Sequence, residues 1–325
     1  MSFSVVNLAI ILLILGNLAA SLSDVAVKLL NGEVSTFQYI FIRQLFSTLV
    51  ICPLWLKQSK QKRKLYSAKL NLFRAHLIII GSGCMVIAIT HLTLATANAV
   101  FHAAPLMMLP LSILLLREKL TIKSSVLSLI GFSGVIVVLR PSEFELAAVF
   151  ALVTTFTIAL FNLTARKLPT EQTVVSTLFW TSLLSLPISG CLAIFYWEPI
   201  STTNLLFILA SATLVLTYNG LAVASYQRAP ANSIALAENS GLVFVTLFGV
   251  TLFNEVPDFF TILGILMIIL PLLPWKILLK VNRLNQSSEP TNQPTRHRRK
   301  LIRKYIDDIY HEYPSEKRSK LKRLN

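Results

Sequence analysis

From Val5 to Leu22 the chain runs eighteen residues without a single charge, and nine comparable apolar segments follow it. About 20 apolar residues suffice to cross the hydrocarbon core of a bilayer. The ten segments lie near residues 4–28, 34–55, 75–94, 97–116, 123–139, 145–165, 172–196, 203–226, 231–252 and 259–280. Lipid offers no partner for backbone N–H and C=O groups, so only helices or a closed barrel can span it. A barrel needs short alternating strands, whereas these runs are continuous. The pattern predicts an all-α integral membrane protein with ten transmembrane helices. The first segment exceeds the roughly 7–15-residue apolar region of a secretion signal and lacks a basic flank, so it is expected to stay as a helix.

Composition supports the same reading. Charged residues make up 14% of the 325, against about 25% in soluble domains. The mean hydropathy is +0.66. The formal charge of +15 is concentrated at one end, since residues 276–325 hold 14 Lys+Arg and 5 Asp+Glu. Three cysteines, Cys52, Cys84 and Cys191, sit in separate apolar runs with no paired spacing, which speaks against a disulfide framework.

Lys and Arg gather in alternate loops. One set holds Lys57, Lys60, Lys62, Arg63, Lys64, Lys69 and Arg74, then Arg117, Lys119 and Lys123, then Arg166 and Lys167, then Arg228. The other loops hold only Arg140, together with Glu33, Glu143, Glu145, Glu198, Glu255 and Asp258. Basic loops stay inside, so both termini are expected in the cytoplasm.

The chain also repeats itself. Residues 97–118 begin Ala97-Asn98, run apolar and end at Glu118; residues 231–255 begin Ala231-Asn232 and end at Glu255. Gly131 and Gly134 follow the first stretch and Gly264 follows the second, while Lys28-Leu29 is echoed by Lys167-Leu168. The Glu118 loop falls inside and the Glu255 loop outside. Two five-helix halves of opposite orientation would produce this, and inverted repeats are a recurring transporter architecture with the substrate near the midplane. The expected domains are residues 1–140, residues 141–281 and a basic cytoplasmic tail, 282–325.

The run Ala229-Pro-Ala-Asn232, Ala237-Glu-Asn-Ser-Gly-Leu242, Phe253-Asn-Glu-Val-Pro-Asp258 resembles the second repeat of EamA-type members of the drug/metabolite transporter superfamily. Pro105, Arg117-Glu118, Gly131-Phe-Ser-Gly134-Val and Asp24-x-x-x-Lys28-Leu29 with Phe41-Ile-Arg43 resemble the first. The likeness covers residues 4–280. It implies a multi-pass carrier of the bacterial inner membrane, in a family whose members carry amino acids, riboflavin, S-adenosylmethionine, metallophores and sugars. Where many relatives have Gly-Glu at the two loops, this chain has Arg117-Glu118 and Asn254-Glu255, so the tight glycine is absent.

Ionisable groups inside a membrane are functional candidates by default. Arg43 lies nine residues into the second predicted helix, about 13 Å deep at 1.5 Å per residue. It suits a substrate carboxylate or phosphate, or equally a structural ion pair. Glu238 is its natural counterpart, either as a proton-coupling carboxylate or as a neutralising partner. Asp24 and Lys28, spaced i, i+4, read as a local pair or as an outer gate. His102, Trp180, Tyr218 and Asn219 complete the expected cavity. For Trp180 ordinary packing competes with stacking on a planar substrate. His91 and His102 lack metal-ligand spacing, and no metal or cofactor is expected.

No phosphate-binding GxxxxGK[ST], HExxH or GxSxG pattern occurs, so neither a built-in ATPase nor a hydrolase is supported. The expectation is a secondary transporter or facilitator for a small polar metabolite, working by alternating access as a monomer or a homodimer. A riboflavin or S-adenosylmethionine carrier is the narrower alternative. A non-transporting scaffold or sensor acting through the tail is the alternative of another class. In the tail, Leu301, Ile302, Tyr305, Ile306 and Ile309 interleave with basic residues. This suits either an amphipathic helix on anionic lipid or a disordered anchor; nucleic acid is the poorest partner.

Overall fold

The computed structural model describes residues 3–116, 122–139, 146–165, 167–169, 171–229, 237 and 239–272. The tail and Glu118 lie outside the described residues. Among the described residues the regular elements are all helical: α1 (Phe3–Lys28), α2 (Thr36–Leu56), α3 (Lys60–Arg63), α4 (Ala68–His91), α5 (Leu94–Phe101), α6 (Ala104–Leu116), α7 (Ile122–Leu139), α8 (Leu146–Ala165), α9 (Val174–Phe195), α10 (Thr202–Arg228), α11 (Ser240–Phe253) and α12 (Phe259–Leu272). Seven segments are long and apolar enough to cross a membrane, with α5 and α6 together forming one of them. Three shorter apolar helices, Ser125–Leu139, Ser240–Phe253 and Phe259–Pro271, accompany them.

Capping sets several starts. Thr93, Thr173 and Ser201 each accept the backbone N–H three residues on, at 3.1–3.2 Å, opening α5, α9 and α10. Leu114, Ile194, Phe195 and Phe259 stand on the outside, as lipid-facing side chains must. The interior is rich in hydroxyls and amides instead. Most of those hydroxyls turn back onto their own helix: Thr154 bonds Phe150 O at 2.9 Å, Thr181 bonds Thr177 O at 2.7 Å and Ser189 bonds Ser185 O at 2.8 Å. Satisfied in this way, a polar group can be buried without penalty.

The helices pack in pairs. α1 lies along α10, α4 along α8, α2 along α9 and α7 along α12. α1 also meets α11, α8 meets α5 and α6, and α5 meets α11. Glycines permit the closest approaches. A Cβ on Gly81 would stand 2.4 Å from Thr157 Oγ1, and one on Gly16 would stand 3.4 Å from Leu221 Cβ. Small residues at such crossings let backbones approach in the absence of a hydrophobic drive between helices.

Two departures from the sequence reading have physical causes. The third long helix starts at Ala68, seven residues earlier than its apolar run, and carries Arg74 into the interior at 2% exposure. Arg74 therefore belongs to a helix and not to a loop. Phe161 O and Thr164 Oγ1 (3.2 Å) accept its N–H groups, and the Phe161 ring lies 3.7 Å beneath it. These contacts offset part of the cost of burying the charge, while its Nε is left without a hydrogen-bond partner. The fourth predicted helix is interrupted, with α5 ending at Phe101 and α6 starting at Ala104.

Candidate substrate site

His102 occupies the break between α5 and α6. Its Nδ1 is 2.8 Å from Asn98 O, and its Nε2 points toward the start of α11, where a Cβ on Gly241 would lie 3.5 Å from it. The break precedes Pro105 by only a few residues in sequence: Pro105 sits in the first turn of α6, a position that needs no N–H. His102 thus lies within the Leu94–Leu115 span, beside a helix start.

α1 faces the same region with amides and hydroxyls. Asn17 Nδ2 donates to Ala237 O at 2.8 Å and to Ser240 Oγ at 3.1 Å, while Ser21 Oγ donates to Gly241 O at 3.1 Å. Ser240 Oγ in turn donates to Ala237 O at 2.7 Å. Here a chain that is helical from Ser240 onward is tied sideways to α1. Tyr218 packs on Gly16 of α1 from α10, and Asn219 is half-buried on the same helix. Glu238 lies outside the described residues, between Ala237 and Asn239.

Nearer the Lys28 end of the bundle lies a second group. Arg43, half-buried on α2, donates from Nη1 to Ser82 Oγ at 3.3 Å, and its guanidinium stands 5.8 Å from the centroid of the Tyr39 ring. Tyr39 is fully buried, its hydroxyl 2.9 Å from Ser211 Oγ, which is 2.8 Å from Ser23 Oγ. Asp24, one helical turn before Lys28 on α1, lies in the field of Arg43.

One helical turn further along α1 stands an ion pair. Lys28 does not pair with Asp24; it forms an ion pair with Glu255 and donates to Leu92 O at 2.7 Å. The Phe253 ring lies 5.5 Å from its ammonium. Glu255 Oε2 also accepts the N–H of Leu94 at 2.7 Å, at the start of α5. A carboxylate is favoured at that helix end. Asn254 makes this possible by adopting φ 55, the left-handed conformation that a glycine would take. A cavity of about 310 Å³ opens beside this pair, with His91, Thr93, Thr96 and Asp258 among its lining residues.

Trp180 is elsewhere. Its Nε1 donates to Arg63 O at 3.0 Å, and its ring meets Trp55 and Phe179 edge-on at 5.7 and 5.5 Å. Trp55 and Phe179 stack at 4.2 Å, and Arg63 stands 5.6 Å from the Trp55 ring. The structure therefore brings Trp180 to α3 at the basic-loop end and not to Arg43. Asn17, Ser82 and Asn98 were absent from the sequence candidates. Asn98 had one signal, its place in the repeated Ala-Asn pair; the other two had none.

An interrupted apolar helix with polar groups at the interruption, in a bundle of membrane-length helices, fits a multi-pass membrane transporter. The chain belongs to the EamA-like transporter family, whose model matches it twice, over residues 7–140 and 145–273. It is a transporter of small metabolites in the bacterial inner membrane. It is similar to the S-adenosylmethionine uptake transporter of Rickettsia prowazekii (strain Madrid E), with 25% identity over 260 residues, covering 79% of this chain and 88% of that protein. It is also similar to the pseudopaline exporter CntI of Pseudomonas aeruginosa (strain UCBPP-PA14), with 23% identity over 272 residues, 80% of this chain and 93% of the exporter. A solved crystal structure matches with a TM-score of 0.55 at 17% identity, covering 85% of this chain and 98% of that one, and shares its fold.

Proposed function

We propose that the protein is a secondary carrier of S-adenosylmethionine, built from two inverted five-helix halves that rock about the site at His102, Asn17 and Gly241. The observation that carries the mechanism is the meeting of the α5–α6 break with the start of α11. Half-helix starts at mid-membrane present free N–H groups and a positive dipole end to a ligand.

The halves find support in the helix pairing. Counting spans with α5 and α6 as one and α3 left out, exchanging spans one to five with six to ten turns α1–α10 into α8–α4. The same exchange turns α1–α11 into α8–α5/α6, and maps α2–α9 and α7–α12 onto themselves. The polar ties follow suit. Asn204 near the start of α10 donates to Glu33 ahead of α2 at 3.1 Å, and Asn71 near the start of α4 bonds Gln172 ahead of α9 at 3.2 Å. With the termini cytoplasmic, the Lys28–Glu255 seal is the outer gate and Asp24 lies just beneath it. The substrate assignment rests on the relatives from Rickettsia.

The test is uptake of radiolabelled S-adenosylmethionine into proteoliposomes, with counterflow from preloaded vesicles. Saturable uptake accelerated by internal substrate is expected. Absence of uptake and counterflow, with the reconstituted protein folded, would remove this substrate. Deleting residues 283–325 should leave transport intact, whereas a scaffold acting through the tail would lose its function.

A further inference from the structure

The segment that joins α2 to α4 through α3 carries Lys57, Lys60, Lys62, Arg63 and Lys64, and the sequence has no Asp or Glu anywhere between Glu33 and Glu118. A basic loop left to solvent needs no fixed shape, yet this one is pinned to its neighbours. Thr173 Oγ1 donates to Gln58 Oε1 at 3.0 Å, and the Ser176 hydroxyl lies 2.9 Å from the same oxygen and beside Lys62 O. Trp180 Nε1 holds Arg63 O at 3.0 Å, and Asn71 Nδ2 holds Tyr66 O at 2.7 Å. Lys57, Lys60, Lys62 and Lys64 stand exposed around this frame. Glu171, ahead of α9, is one acid against these bases, and none of them forms an ion pair among the described residues. Arg63 is central to the patch. Its guanidinium stands 5.6 Å from the centroid of the Trp55 ring and donates to no acceptor among the described residues, its buried Nε included. Trp55 Nε1 is a second buried donor without a partner in the same cluster. Buried donors ordinarily find an acceptor. Alongside Trp55 at the end of α2, Leu54 and Leu56 expose apolar surface.

We infer that this loop is a headgroup site for an anionic glycerophospholipid of the leaflet it faces, with the phosphate on Arg63 and the neighbouring lysines and the acyl chains along Leu54 and Leu56. Charge complementarity selects the occupant. A phosphodiester brings the acceptors that the protein does not supply, in the geometry a guanidinium fork suits. A zwitterionic headgroup brings an ammonium together with its phosphate, and the five bases repel it. Because the frame is already fixed, little loop ordering is lost on binding. The loop hangs on α9 as well as on α2 and α4, so a lipid seated there braces three helices. The inference rests on insertion in a membrane and not on the choice of substrate.

The experiment is native mass spectrometry of the purified full-length protein, released from micelles that contain phosphatidylglycerol and phosphatidylcholine in equal amounts. The wild type should retain phosphatidylglycerol in preference. Each neutralised base should weaken that retention by about fivefold, so Lys60→Gln, Arg63→Gln and Lys64→Gln combined should abolish the preference while the basic tail stays intact. Equal retention of the two lipids by the wild type overturns the inference. So does a preference that survives in the folded triple variant, which would place the lipid elsewhere, on the tail for instance. Inorganic phosphate is the third probe, read by thermal unfolding: if it raises Tm as far as phosphatidylglycerol does, the site takes a soluble anion and the lipid assignment falls. If the triple variant does not fold, Lys60→Gln alone alters one exposed side chain and should show the single step; no change in that variant overturns the inference.

Discussion

Gly134 and Gly264 face each other across the crossing of α7 and α12, each lying against the other's carbonyl oxygen. A Cβ built on Gly134 would sit 2.8 Å from Gly264 O, and one on Gly264 would sit 2.7 Å from Gly134 O. Backbone cannot swing aside as a side chain can. Either residue changed to alanine should force the two helices apart and destabilise the protein by about 1–3 kcal/mol. Gly220→Ala is the control, since a Cβ there meets nothing within 4 Å. Removing that helix-interior glycine should be neutral or add about 0.5–1 kcal/mol. Thermal unfolding in one detergent compares all three.

At the seal, the side chains of Lys28 and Glu255 are 11% and 16% exposed. Glu255→Gln leaves an uncompensated ammonium there and should cost about 3 kcal/mol or more of stability. Replacing both partners by apolar residues, Lys28→Met with Glu255→Leu, should recover most of that loss. If the double variant is as unstable as the sum of the singles, the two residues are not coupled.

Asn17 ties α1 to both Ala237 and Ser240. Asn17→Leu keeps the volume and removes both bonds, and transport in proteoliposomes should fall at least tenfold while the protein stays folded. Unchanged uptake would move the working site away from the start of α11.

Trp180→Phe loses one hydrogen bond to Arg63 O and keeps the aromatic contacts. Stability should drop by about 1 kcal/mol, and the affinity for substrate should not change. A selective loss of affinity would return Trp180 to the cavity.

Much of this was legible from the chain alone, because lipid leaves so few options for a backbone. The apolar runs marked the helices, and the paired Glu-bearing loops marked Glu255. The absent glycine before it proved to be no obstacle, since Asn254 takes the left-handed turn in its place. The extension of α4 to Ala68 was hidden because its reason, the Phe161 carbonyl under Arg74, is 87 residues away. Lys28 was assigned to Asp24 on i, i+4 spacing, which weighs only local neighbours; Glu255 supplies a closer partner from another helix. Trp180 was placed by depth along its helix, and depth says nothing about which way a ring faces.

The hydroxyls of α9 bond their own helix at Thr177, Thr181, Ser185 and Ser189. Groups satisfied in this way offer neighbouring helices little more than methyl and methylene surface. Sliding α9 against α2 or α4 then exchanges one set of dispersion contacts for another and breaks few polar links. Such an interface resists separation far more than it resists shear, so the bundle stays together in lipid while its helices remain able to slide.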